Sequence, residues 1–94
     1  MCGIAGFTGP QASKPLISML DLIAHRGPDG TGKFESEAIN LGHRRLAVID
    51  PEGGAQPFIS ADGRYILAYN GEIYNFLQLK ERLEQEGVQF KTKS

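Results

Sequence analysis

Residues 1–9 read MCGIAGFTG, and Cys2 is the single cysteine of the 94-residue chain. Small and apolar residues run from Cys2 to Phe7, and Thr8, Gly9 and Pro10 close the run. That pattern predicts a short strand with the thiol at its mouth. A lone cysteine is ordinarily a small buried hydrophobe. Position 2 adds a chemical alternative. If the initiator Met is removed, Cys2 carries a free α-amine beside its thiol. A thiol titrates at about 8.5 and an α-amine at about 7.7–8.0, so the amine is partly neutral near neutrality and can accept the thiol proton. An N-terminal amine that activates its own side chain is one route to a nucleophile. Gly3 and Gly6 would let other backbone approach the strand closely.

Working outward, Leu16, Met19, Leu20 and Ile23 repeat at helical spacing. Ser13 suits an N-cap, Pro15 the first turn and Gly27 the stop, so a helix is expected over 14–25. A turn-rich HRGPDGTGK follows, then a weakly strand-like 34–41 and a strand from about Leu41 to Ile49. DPEGGAQP reads as a loop. Residues 58–60 and 64–69 flank Asp62-Gly63, a two-residue hairpin signal. YILAY, 65–69, is apolar throughout and is expected to be a strand buried on both faces. Phe76, Leu79, Lys80 and Leu83 return to helical period, with Asn75 to cap and Gly87 to end the helix. VQF, 88–90, is expected to begin another strand, cut off in mid-element. Two helices cover such a sheet poorly, which suggests a fragment of a larger domain.

Bulk composition sets bounds. The chain is 40% hydrophobic and 22% charged, with a net charge of -1. This gives no electrostatic case for nucleic acid or an anionic membrane. No apolar run approaches the ~20 residues of a membrane span, and the N-terminus lacks a secretory pattern. One cysteine cannot form an internal disulfide, which fits a reducing, cytoplasmic setting. Two histidines at the wrong spacing from it leave no metal site to expect.

Several short stretches carry possible chemistry. GPDGTGKF, 27–34, nearly matches a phosphate-binding loop. However, Phe34 replaces the magnesium-binding hydroxyl and the stretch does not open a helix, so a turn is the better reading. YNGEIYN, 69–75, contains Asn-Gly, which alone favours a hairpin turn. The chemical alternative is a donor pair: the Asn70 side-chain amide and the Gly71 N–H could stabilise one oxyanion. Glu72 could pair with a substrate ammonium, or be a solvated surface carboxylate. Arg44 and Arg45 are adjacent on a strand, so only one can face a given site. An arginine fork there would suit a carboxylate. His25 and His43 belong to no evident constellation, and structural roles are expected for both.

Taken together, MCGIAG, HRGPDG, RRLAVID and NGEIYN occur in an order that resembles the class II glutamine amidotransferases, N-terminal-nucleophile hydrolases, over the whole chain. The HRGPD and NGEIYN forms are most similar to the glutamine-hydrolysing asparagine synthetase subfamily. The resemblance implies an α+β fold, the N-terminal half of a four-layer αββα glutaminase domain with antiparallel sheets. Residues 1–94 would be a partial, truncated glutamine amidotransferase type-2 domain, with the synthetase domain absent. FKTKS ends where the family would next supply an Asp for the glutamine ammonium.

By the same resemblance, Cys2 is the nucleophile with its α-amine as base, and Asn70 and Gly71 form the oxyanion hole. Arg45 binds the glutamine α-carboxylate, and the Val48 backbone and Glu72 contact the α-amino group. His25 to Asp29 form a structural loop near the nucleophile. The implied chemistry is glutamine hydrolysis through a γ-glutamyl thioester, with ammonia passed on for ATP-dependent synthesis of asparagine from aspartate. The glutaminase part needs no cofactor; ATP and Mg2+ belong to the missing synthetase domain. The parent could be a homodimer. Two alternatives stay open at this point: a related amidotransferase with another acceptor, and a non-catalytic remnant.

Overall fold

The computed structural model describes residues 2–10, 13–46 and 53–93. Strand β1 (Gly3–Thr8) leads into helix α1 (Ser13–Leu22), and a short 3-10 turn follows at Ala24–Arg26. Strands β2 (Gly30–Glu35) and β3 (Ile39–Arg45) then form an antiparallel sheet with β1, in the order β1-β3-β2. Strands β4 (Phe58–Ile59) and β5 (Ile66–Leu67) pair as a separate antiparallel ribbon, and helix α2 (Phe76–Gln85) is the last regular element among the described residues. The class is therefore α+β with antiparallel sheets.

Alternation along β3 gives the sheet two different faces. Gly42 lies against Leu20, so Asn40, Gly42 and Arg44 share the side on which α1 packs. Leu16 and Leu20 are 0% and 2% exposed there; each such burial contributes roughly 2 kcal/mol. Leu41, His43 and Arg45 share the opposite side. Register settles the position of the thiol. Gly3 pairs with Arg44, so Cys2, one residue earlier, falls opposite Arg45 on the side away from α1.

Several sequence expectations change. The helix expected over 14–25 ends at Leu22. Ser13 lies inside it and donates its hydroxyl to both Glu35 carboxylate oxygens, at 3.0 and 2.8 Å, rather than capping. The strand-like 34–41 is two strands split by a turn. Ser36 makes that turn: its hydroxyl donates to the Ile39 carbonyl at 2.8 Å and accepts the Ala38 and Ile39 N–H groups. The following strand stops at Arg45, and 47–49 lie outside the described residues. The Asp62-Gly63 hairpin exists, but with a longer loop. The Ser60 N–H donates to the Tyr65 carbonyl at 2.9 Å, leaving four residues between them. Asp62 accepts from the Ser60 hydroxyl and the Arg64 N–H, which holds its carboxyl below the usual range.

YILAY is not buried on both faces: Tyr65, Leu67 and Tyr69 are 64%, 56% and 41% exposed. A doubly buried strand needs a layer on each side, and β5 has only β4 as its ladder partner among the described residues. VQF is not a strand either. Among the described residues it pairs with no strand and lies beside α2, where the Lys80 ammonium is 5.5 Å from the Phe90 ring centre. Asn75 precedes α2 without a side-chain capping bond. The other end closes as expected: Gly87 takes φ +93, and the Gly87 and Val88 N–H groups donate to the Glu84 and Leu83 carbonyls. Among the described residues no helix is long and apolar enough to cross a membrane.

Candidate active site

Several separate segments meet on the sheet side away from α1. They enclose an open cavity of about 350 Å³. Cys2 enters from the start of β1, Arg45 and Leu46 from the end of β3, and Gln56 from the loop before β4. Tyr69, Gly71 and Glu72 enter from the stretch after β5. The apolar stripe of α2, Phe76, Leu79 and Leu83, forms the far wall.

The half-buried thiol of Cys2 is seated on the backbone of Leu46. Its Sγ accepts the Leu46 N–H at 3.3 Å and donates to the Leu46 carbonyl at 3.7 Å. Its own carbonyl accepts from Arg26 Nε at 3.1 Å. The loop from His25 to Asp29 therefore touches the nucleophile candidate through the Arg26 side chain, on the Cys2 carbonyl. That loop in turn lies along β3: the Asp29 N–H donates to the Arg45 carbonyl at 2.9 Å, and Arg44 Nε donates to the Gly27 carbonyl at 3.1 Å. Only glycine fits at 27, because a Cβ there would sit 2.2 Å from the Arg44 carbonyl carbon.

The two adjacent arginines thus separate. Arg44 faces the loop and also donates to the Thr31 hydroxyl, while Arg45 lines the cavity with Cys2. Glu72 and Gly71 line the same cavity. Among the described residues, no hydrogen bond engages the Gly71 N–H. Asn70 is different: it is half-buried between two lining residues and does not line the cavity itself. Val48 lies outside the described residues. GPDGTGKF does not form a phosphate cradle. Its second half is strand β2, and the space beside Gly32 is filled by the Gln56 carbonyl. Among the described residues, no group of three or more His, Cys, Asp or Glu is placed to hold a metal ion.

Arg26, Gln56 and Tyr69 were not singled out by the sequence. Arg26 was visible only as part of HRGPDG, and nothing in GGAQP distinguishes Gln56 from a loop residue. His43 does have a structural place. It is 1% exposed, with Nε2 3.3 Å from the Tyr69 carbonyl. A carbonyl can only accept, so that nitrogen carries the hydrogen. Burial holds His43 below its ordinary value of 6.5; the bond to Tyr69 opposes this and the Arg45 charge adds to it. The unfolded chain therefore binds this proton more readily than the folded one. Stability is full above about pH 6.5 and falls as the pH drops through that value. The melting temperature is expected to fall between about pH 7.5 and 5.5, and to fall less in His43→Gln. An equal fall in both would place the titrating group elsewhere.

Residues 1–94 match the sequence model of the family described as glutamine amidotransferase domain. The chain is 41% identical over 101 aligned residues to asparagine synthetase (glutamine-hydrolyzing) 1 of Bacillus subtilis, covering 97% of this chain and 16% of that protein. It is 42% identical over 99 residues to a probable asparagine synthetase (glutamine-hydrolyzing) of Schizosaccharomyces pombe, covering 100% of this chain and 18% of that one. To asparagine synthetase (glutamine-hydrolyzing) 1 of Saccharomyces cerevisiae it is 45% identical over 85 residues, 86% of this chain and 15% of the relative. The chain thus spans less than a fifth of the length of these relatives.

Proposed function

Since the chain belongs to the glutamine amidotransferase domain family, we propose that it is the glutamine-hydrolysing part of an asparagine synthetase. One observation carries this reading. Four residues from three separate segments line one cavity: Cys2, which carries a thiol, Arg45, which carries a guanidinium, and the neighbours Gly71 and Glu72, which carry a backbone N–H and a carboxylate. These are the groups needed to hold an amino acid by both charges and to attack its side-chain amide.

With Met1 removed, the Cys2 α-amine takes the thiol proton. The thiolate attacks the glutamine side-chain carbonyl carbon, and the carbonyl oxygen becomes an oxyanion. The Gly71 N–H and the Asn70 amide, turned into the cavity, stabilise it. The Cys2 α-ammonium returns its proton to the amide nitrogen, the carbon–nitrogen bond breaks and ammonia leaves. A γ-glutamyl thioester remains on Cys2. Water, deprotonated by the same amine, attacks the thioester, glutamate departs and the thiol is restored. Arg45 holds the glutamine α-carboxylate by a two-point contact, and Glu72 with the Val48 backbone holds the glutamine α-ammonium.

In the complete protein this segment is the N-terminal half of a four-layer αββα domain. Residues 27–34 do not form a phosphate loop: β2 runs where the loop would have to turn, and the Gln56 carbonyl occupies the space beside Gly32. In this reading ATP and Mg2+ serve the synthetase part of the complete protein. That part receives the ammonia and amidates aspartate, in a cytoplasmic enzyme that could act as a homodimer.

The test is product analysis of the full-length protein with aspartate, ATP and Mg2+. Asparagine is expected from either glutamine or ammonia as the nitrogen source. Glutamate release without asparagine would keep the glutaminase and assign a different acceptor. The absence of glutamate release from a folded full-length protein would leave a non-catalytic remnant.

A further inference from the structure

The Asn70–Gly71 pair lies beyond the end of β5, in a stretch with no strand partner among the described residues. Regular secondary structure therefore does not fix it. Its backbone is instead gripped one residue earlier, from two sides. The Tyr69 N–H donates to Gln56 Oε1 at 2.6 Å, and the Tyr69 carbonyl accepts from His43 Nε2 at 3.3 Å. Downstream, the Tyr69 hydroxyl donates to the Glu72 carbonyl at 3.4 Å, closing the stretch on itself.

Both jaws are themselves anchored. His43 is 1% exposed and sits in the middle strand of the sheet. Gln56 is held at β2 because residue 32 has no side chain: a Cβ at Gly32 would lie 1.6 Å from the Gln56 carbonyl oxygen. We infer that His43 and Gln56 clamp the Tyr69 peptide and thereby position the Asn70 and Gly71 oxyanion donors. This inference rests on the glutaminase reading above.

Both are positioning residues, because they act through Tyr69 and Asn70–Gly71. A clamp of this kind has a distinct kinetic signature. Oxyanion donors matter in the transition state more than in the ground state, so misplacing them lowers kcat with little change in KM. The two clamping bonds end on the Tyr69 peptide, whereas the substrate charges would be held by the Arg45 guanidinium and the Glu72 carboxylate.

The experiment uses the full-length protein, with glutamate release as the assay. Gln56→Met removes the acceptor and keeps the shape. It is expected to lower kcat roughly 10- to 100-fold with KM within about threefold of wild type. Gln56→Glu, which keeps an acceptor at the same reach, is expected to recover most of the loss. His43→Phe should behave like Gln56→Met, and His43→Gln should recover because its amide N–H can donate to Tyr69. Alkylation of Cys2 by iodoacetamide should proceed at the wild-type rate in all four. If His43→Phe fails to fold, the half-buried Gln56 pair still decides. A rise in KM with unchanged kcat, equal losses in kcat and alkylation rate, or no effect at all would overturn the clamp. Cys2→Ala separates the two levels. If that variant still hydrolyses glutamine at the wild-type rate, the glutaminase assignment fails, and the clamp with it. If it is inactive, any failure belongs to the clamp alone.

Discussion

Cys2→Ser in the full-length protein is expected to cut glutamine hydrolysis by roughly 10³-fold or more while leaving ammonia-driven synthesis intact. Serine keeps the position, the volume and the ability to bond to the Leu46 backbone, where the thiol now sits. What it loses is acidity. An α-amine near pH 8 can share the proton of a thiol titrating at about 8.5, but a hydroxyl is far too weak an acid for it. Cavity, arginine and oxyanion donors all remain, so the loss isolates the nucleophile. Glutamate release and asparagine formation from ammonium, measured side by side, check it. A serine variant that retains a tenth or more of the glutaminase rate would remove Cys2 from the reaction.

The second large effect is expected at Arg45. Arg45→Ala should raise KM for glutamine about 100-fold, since a paired, charge-assisted contact to a carboxylate is worth about 3 kcal/mol. The turnover number should move much less. Arg45→Lys should fall between, because an ammonium keeps the charge but loses the fork. Arg44→Ala is the internal control. That side chain holds Gly27 and Thr31 on the other face, so its loss should lower the melting temperature more than it raises KM. If Arg45→Ala leaves KM unchanged, the carboxylate is bound elsewhere.

Local pattern made much of the fold legible. The apolar run after Cys2 is β1, the 3.6-residue spacing of Leu16 and Leu20 is α1, and the spacing from Phe76 to Leu83 is α2. The turn at Ser36 was missed because one serine hydroxyl, rather than a Gly or Pro, makes it. YILAY misled because apolar composition records what a strand could bury, whereas burial depends on which layers surround it. At the site, alternation required Arg44 and Arg45 to diverge but could not say which faces Cys2. That depends on the β1–β3 register, which pairs residues far apart in the chain, such as Gly3 with Arg44. Gln56, and the partner that gives His43 its structural role, were illegible for the same reason, since both side chains bond the peptide of Tyr69. Val48 lies outside the described residues.

The doubled arginine at the end of β3 has a consequence for how this segment tolerates replication errors. Deleting one of the two adjacent codons would shorten the strand by one residue and shift everything before or after it to the opposite face. Either way one guanidinium survives, but it can serve only one face. The protein would keep its anchor to the Gly27 loop and lose the cation in the cavity, or keep the cation and release the loop. A single-codon deletion here should therefore behave as a choice between two partial lesions, and second-site changes that restore an arginine one position away should recur among revertants.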